Sequence, residues 1–264
     1  MTTYFISHGA PDLVLHPSEA ADFMRSFGLG GHKPRAILMV SAHFLADHPM
    51  LTADPKPDMI YDFGGFDPAL RQIVYTAPGA PDVAQEAVEA LRAAGFSAQL
   101  EHHRGFDHGT WVQLVLMHPR ADIPVVQLSV NPHAGPEWHY RLGQALAPLA
   151  GSGVLVIGSG AATHNLRELF GNHYPLEAPA PDWVKEFGEW LDERIVAGDR
   201  DALIHYRSQA PYGRENHPTE EHLLPLYVAM GAACDGAGDP VYGERIHTSH
   251  QYGVLMMDAY AFHA

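Results

Sequence analysis

Cysteine is nearly missing from this chain: Cys234 is the only one among 264 residues. A lone thiol excludes an internal disulfide framework and fits a reducing compartment. Its surroundings, AACDGAG, read as a helix end and a loop, so Cys234 is incidental. Basic charge is also scarce, with 16 Lys and Arg against 31 Asp and Glu and a formal net charge of −15. No basic run stands out, which argues against a nucleic-acid partner; the acidity itself mainly implies solubility. No apolar stretch approaches the roughly 20 residues that cross a bilayer, so no membrane association is expected. The segment MTTYFISHG has no charged leader and reads as a first strand, which makes the cytoplasm the expected location.

Apolar residues make up 46% of the chain, the usual globular share. A chain of this length buries a full core without staples, and one domain is expected over residues 1–264. Strand-like runs occupy residues 4–7, 36–42, 124–130, 154–158 and 253–257. Helical periodicity marks 83–94, with Asp82 as N-cap and Gly95 as stop, then 137–149, 182–196 ended by Gly198, and 219–233, where Pro225 should kink the helix or shift its start. Hydrophobic strands separated by helices predict an α/β fold: a mostly β core flanked by helices, with a site at the strand ends. The Pro/Gly-rich loops 47–68 and 206–218 are expected to wall that site. Trp183, Phe187 and Trp190 suit either a core or an interface.

Histidine is plentiful, at 19 residues, and four stand where apolar runs end or turn. His8 closes TTYFIS, His43 closes ILMVSA, His164 follows VLVIGSGAAT, and His222 sits in NHPTEEHLLPL. Strands deliver side chains to the loop-lined edge of an α/β sheet, and neutral imidazole is the commonest metal ligand. Several histidines at one edge therefore point to a metal centre. His16, His32, His48, His118, His133, His139, His173, His205 and His263 follow no such pattern and read as structural. In RGFDHGTW, His108 follows Asp107, a carboxylate placed to fix the imidazole. The loop MIYDFGGFDPAL, with Tyr61, Phe63 and Phe66, and nearby Trp111 suggest an aromatic wall for one flat ring. In GSGAATHN, Gly158 and Gly160 permit close backbone approach, but the Lys and spacing of a phosphate loop are missing. On residues alone three readings stay open. They are a metal-dependent oxygenase, a zinc hydrolase whose histidines activate water, and a non-catalytic binding module with the same pocket.

Taken in order, FISHGAP, ILMVSAHF, YDFGGF, YTAPG, GFDHGTW, ADIPVVQLSV, GSGAATHNL, NHPTEEHLLPL and MMDAY resemble the class III extradiol ring-cleaving dioxygenases. The likeness is to their DOPA 4,5-dioxygenase subgroup, related to the catalytic subunit of protocatechuate 4,5-dioxygenase, and runs from about Tyr4 to Phe262. It implies one divalent ion per chain, Fe(II) for activity with Zn(II) plausible as bound. It also implies a catechol substrate, DOPA-like or otherwise substituted, opened with O2 to a muconic semialdehyde. His8, His43 and His222 become the ligands by this resemblance. His164 becomes the acid/base residue and a possible fourth ligand to zinc, and His108 a second substrate-contacting histidine. The protocatechuate branch has a glutamate as third ligand; here the segment offers His222, with Glu215, Glu220 and Glu221 nearby. Three protein ligands on one face would leave an octahedral ion with room for two catechol oxygens and dioxygen.

Overall fold

The computed structural model describes residues 2–28, 33–234 and 241–263, so His32 lies outside it. Strand β1 (Thr2–Ser7) leads to α1 (Glu19–Phe27), whose N-cap Ser18 hydroxyl accepts from the Ala21 N–H. Next come β2 (Ala36–Leu45), β3 (Met50–Thr52), α2 (Pro81–Ala93), β4 (Gln99–Glu101), α3 (His108–Met117) and β5 (Val125–Val130). They are followed by α4 (Gly135–Gly151), β6 (Val154–Gly160), α5 (Leu166–Asn172) and α6 (Asp182–Val196). Three short helices, α7 (Arg200–Ile204), α8 (Tyr206–Gln209) and α9 (Gly213–Asn216), precede α10 (Leu224–Ala232). The strands β7 (Tyr242–His247), β8 (His250–Gln251), β9 (Leu255–Met256) and β10 (Ala259–His263) complete the described elements.

Eight strands form one sheet in the order β4-β3-β5-β2-β6-β1-β10-β7. Its centre, β5-β2-β6-β1, is parallel, while β3–β5, β1–β10 and β10–β7 are antiparallel. Side chains alternate between the faces. Leu38 and Val40 of β2 join a core with α2, α4 and α10, whereas Ile37 and Met39 join a second core with α1 and α3. Covering both faces requires strands that are apolar throughout, which is how β2 and β5 read in sequence. The parallel strands β1, β2 and β6 finish at one edge, and there the histidines collect.

Several expected boundaries move. The run 253–257 is not a sheet strand: Gly253 takes a positive φ of 67° in a turn, and only Leu255–Met256 pair with β8. The last sheet strand is instead Ala259–His263. The helix expected over 219–233 is confined to Leu224–Ala232. Pro225 lies in its first turn, where a missing N–H leaves no bond unmade. Residues ahead of it stay non-helical and carry His222. Ala80, not Asp82, holds the cap position of α2, which Pro81 starts. Gly95 follows this helix with a φ of 90°. The loop 47–68 contains β3, and 206–218 contains α8 and α9. Phe187 is buried in the core, with Trp190 packed against it and Trp183 against a smaller cluster.

Candidate metal centre

His8 directly follows β1, His43 lies near the end of β2, and His222 sits two residues before α10. The His43 Nε2 is 3.1 Å from the His8 Nε2 and 3.3 Å from the His222 Nε2. Nitrogens bound at ~2.0–2.1 Å around one ion with angles between octahedral and tetrahedral stand ~2.8–3.4 Å apart. The two spacings from His43 are those of nitrogens sharing one ion; by mutual distance, His8 and His43 group with His108, and His222 groups with His164 and Glu221.

The far nitrogens say which atoms hold protons. The Ser159 hydroxyl donates to the Gly109 carbonyl, so toward His8 its oxygen can only accept. His8 Nδ1 consequently donates to Ser159 Oγ at 3.0 Å, leaving a lone pair on Nε2. His222 Nδ1 donates to Glu221 Oε1 at 3.1 Å with the same result. Two Nε2 lone pairs are thus aimed at a third imidazole, an arrangement that favours a shared cation over neutral packing. Burial, and then the neighbouring histidines, push His8 and His222 well below the usual imidazole range. Burial and His108 hold His43 at about 3 against the opposing charge of Asp62. All three are neutral at pH 7, the state a metal requires. The donor set fits one divalent ion.

Two further imidazoles border this point. The ring of His164 lies parallel to His222, with centroids 3.4 Å apart. Burial and then His108 lower its pKa to about 4. Its backbone N–H donates to the Asn216 carbonyl at 2.9 Å, and the preceding Ala161, Ala162 and Thr163 are buried. The GSGAAT segment is therefore a strand end held in the core. A Cβ on Gly158 would collide with the Pro225 carbonyl and one on Gly160 with that of His222. These glycines bring the His222 segment against β6.

His108 opens α3, whose N-cap is Asp107. Asp107 does not orient the imidazole as expected: its carboxylate accepts from Ser41 at 2.7 Å and from Arg104 at 3.0 Å. The orienting group is Asp62, whose Oδ1 accepts from His108 Nδ1 at 2.8 Å and from its backbone N–H at 3.1 Å. Burial alone would raise the Asp62 carboxyl, but the hydrogen bond and charge of His108 outweigh it and hold it at about 2. Asp62 went unassigned in the sequence, although a charged residue between Tyr61 and Phe63 is the signal that would have found it.

A cavity of about 410 Å³ opens from the five histidines and Asp62, with Phe63 and Phe66 on its wall. Tyr61 and Trp111 stand behind: the Tyr61 hydroxyl donates to Ile73 at 2.8 Å, and fully buried Trp111 donates from Nε1 to Ile60 at 3.2 Å. The cavity exceeds one ring. It continues to α5 and the β8–β9 turn, including His173 and Tyr252. Residues 206–218 support the site from behind: Asn216 holds His164, and His217 Nε2 lies 2.8 Å from the Ala162 carbonyl. Glu215 and Glu220 do not border the cavity: Glu215 lines a different recess with Asp182 and Tyr212, and Glu220 accepts from the Tyr206 hydroxyl at 3.1 Å. Among the described residues no helix is long and apolar enough to cross a membrane.

Comparison with known proteins places this geometry. Residues 18–262 match the family described as the catalytic LigB subunit of aromatic ring-opening dioxygenase. A relative from Beta vulgaris named 4,5-DOPA dioxygenase extradiol is 42% identical, over 98% of this chain and 96% of its own. One of the same name from Escherichia coli K12 is 36% identical, over 88% of this chain and 85% of its own. The crystal structure of an uncharacterized protein from Escherichia coli K12 superposes with a TM-score of 0.79 at 30% identity, covering 99% of both chains.

Proposed function

The chain belongs to the aromatic ring-opening dioxygenases of the extradiol type, and from that premise we propose that it opens a substituted catechol with O2 beside its two hydroxyl groups, yielding a muconic semialdehyde. Residues 1–264 act as one catalytic domain. His8, His43 and His222 hold one divalent ion, Fe(II) in the active protein, and Zn(II) is a plausible occupant after purification in air. The observation that carries this reading is the convergence of three Nε2 atoms at 3.1 and 3.3 Å, two with their protons committed elsewhere. The relatives named as 4,5-DOPA dioxygenases support an aromatic diol as substrate.

Bound iron would supply the path by which electron density of the catechol reaches dioxygen. The protein does the rest. His164, neutral at pH 7 and stacked on His222 beside the ligand cluster, accepts the proton of a catechol hydroxyl and later returns it. Asp62 fixes the Nδ1 proton of His108, so Nε2 of that ring faces the substrate and orients it. Phe63 and Phe66 flank the aromatic ring and exclude water.

The test is anaerobic metal reconstitution followed by oxygen uptake with a panel of catechols. Uptake with Fe(II) and a yellow ring-opened product support the reading. Turnover of an ester or amide with Zn(II), without oxygen consumption, would replace it by a hydrolase.

A further inference from the structure

Beyond the histidines the cavity changes character. Apart from the site residues it is lined by Leu166, Leu169, Phe170, Leu255, Met256 and Met257, and its α5 side, where Leu166 and Phe170 are exposed, forms an outer half. Leu166, Leu169 and Phe170 repeat at i, i+3 and i+4 on α5, a helical stripe of the kind that normally packs into a core. Yet α5 has no buried residue, and Leu166 and Phe170 are 42% and 64% exposed. Leu169 packs against Ala180, Val184 and Val254, but two large apolar side chains left open at the mouth of a cavity mark a surface that a ligand covers.

Charge points the same way. Every lysine and arginine of the chain lies among the described residues, and none borders the cavity. Arg167, on the same helix, lines the adjoining recess on the other side of His164 and Leu166, where Glu221 shares its surroundings. The polar side chains of the outer half are His173 and Tyr174 at the solvent edge, and Tyr252, whose hydroxyl is 3.4 Å from Asp12 Oδ2. A carboxylate entering here would lose water, meet no Lys or Arg and approach an acid.

We propose that this outer half is a subsite for an uncharged alkyl or aryl substituent on the substrate ring, and that Leu166 and Phe170 select it against a carboxylate-bearing side chain. The proposal rests on the ring-cleavage reading for the ring itself, while the subsite can be measured without turnover.

Binding of catechol, 4-methyl-, 4-ethyl- and 4-propylcatechol, 3,4-dihydroxyphenylpropionate and DOPA to the Fe(II)-loaded protein is measured by calorimetry without oxygen. Oxygen uptake then follows with the same series. Affinity should rise up to about fourfold per added methylene, and the carboxylates should bind at least about tenfold more weakly than propylcatechol. Phe170→Ala should flatten the alkyl series, and Phe170→Arg should reverse the order in favour of the carboxylates. A flat alkyl series, or carboxylates bound as tightly as propylcatechol in the unmodified protein, overturns the subsite. Graded binding without oxygen uptake overturns ring cleavage and leaves the subsite standing.

Discussion

At His8 the serine behind the ring decides which nitrogen is free. Because the Ser159 proton is taken by Gly109, the Nδ1 proton of His8 has one acceptor and Nε2 is left open. Glu221 does the same for His222. Replacing His8, His43 or His222 by Ala should therefore abolish metal retention, read by elemental analysis after dialysis. A full metal complement in His222→Ala would move the third ligand to Glu221. His164→Phe should keep the metal and lose turnover by roughly 10²–10⁴-fold, the usual worth of a general base; loss of metal instead would make His164 a ligand. Asp62→Asn keeps the size of the group that holds His108 but removes its charge. Turnover should fall by about 10- to 100-fold with metal retained, as for other residues that orient a site through a histidine. Full activity in this variant would leave His108 without need of its carboxylate.

At the scale of elements, the site depends on how closely the segment before α10 approaches β6. Gly160 accepts the His222 carbonyl where any Cβ would strike it, and the Ala161 N–H donates to that same carbonyl at 2.9 Å. Gly160→Ala should displace His222 more than it harms the fold. The expected result is a loss of metal affinity of at least tenfold with a stability cost of about 1–3 kcal/mol, the range for overpacking a core. Metal titration and denaturant unfolding measure the two separately. Unchanged metal affinity would show that the strand and segment separate without moving the ligand.

For the whole molecule, buried titratable groups set the acid limit. Burial lowers His139 to about 4 and His217 to about 3, against backbone carbonyl contacts that act the other way. Both lie off the metal cluster. Since their folded pKa values are below the unfolded value near 6.5, their contribution is complete above that pH and is lost as pH falls toward 4. Asp258 has the opposite sign: burial raises it to about 6 despite its hydrogen bonds, so its protonation favours the folded state as pH falls from 6 to 4. Two histidines against Asp258 alone leave a net of one proton, or about 1.4 kcal/mol of stability lost per pH unit near pH 5, part of which Asp107, also raised by burial, offsets. The depressed histidines of the cluster steepen this in metal-free protein. Urea unfolding of the apoprotein at pH 7, 6 and 5 should show the decline, and saturating Zn(II) at pH 7 should raise the melting temperature. Stability that held constant to pH 5 would contradict the burial of these imidazoles.

The sequence by itself determined the α/β class and the central strands, because each is written in adjacent apolar residues. His8 and His43 stand out because an imidazole closes such a run, whereas His222, behind two glutamates, is marked as a ligand only by the family resemblance. It located α6 to the residue, since its periodicity and stop signal agree. Only the tertiary structure decided the rest. The partner of His108 is Asp62, 46 residues away, and not its neighbour Asp107, because the start of α3 consumes the Asp107 carboxylate in capping, Ser41 and Arg104. Short strands such as β3 and the edge strand β4 carry too few residues to show a period and exist through pairing. That Phe63 and Phe66 border the cavity while Tyr61 and Trp111 stand behind depends on which face each backbone turn presents. The stripe on α5 is not marked in the sequence; Leu169 packs on the cluster of Ala180, Val184 and Val254 while Leu166 and Phe170 stay exposed, and that can be seen only when the whole chain is folded around it.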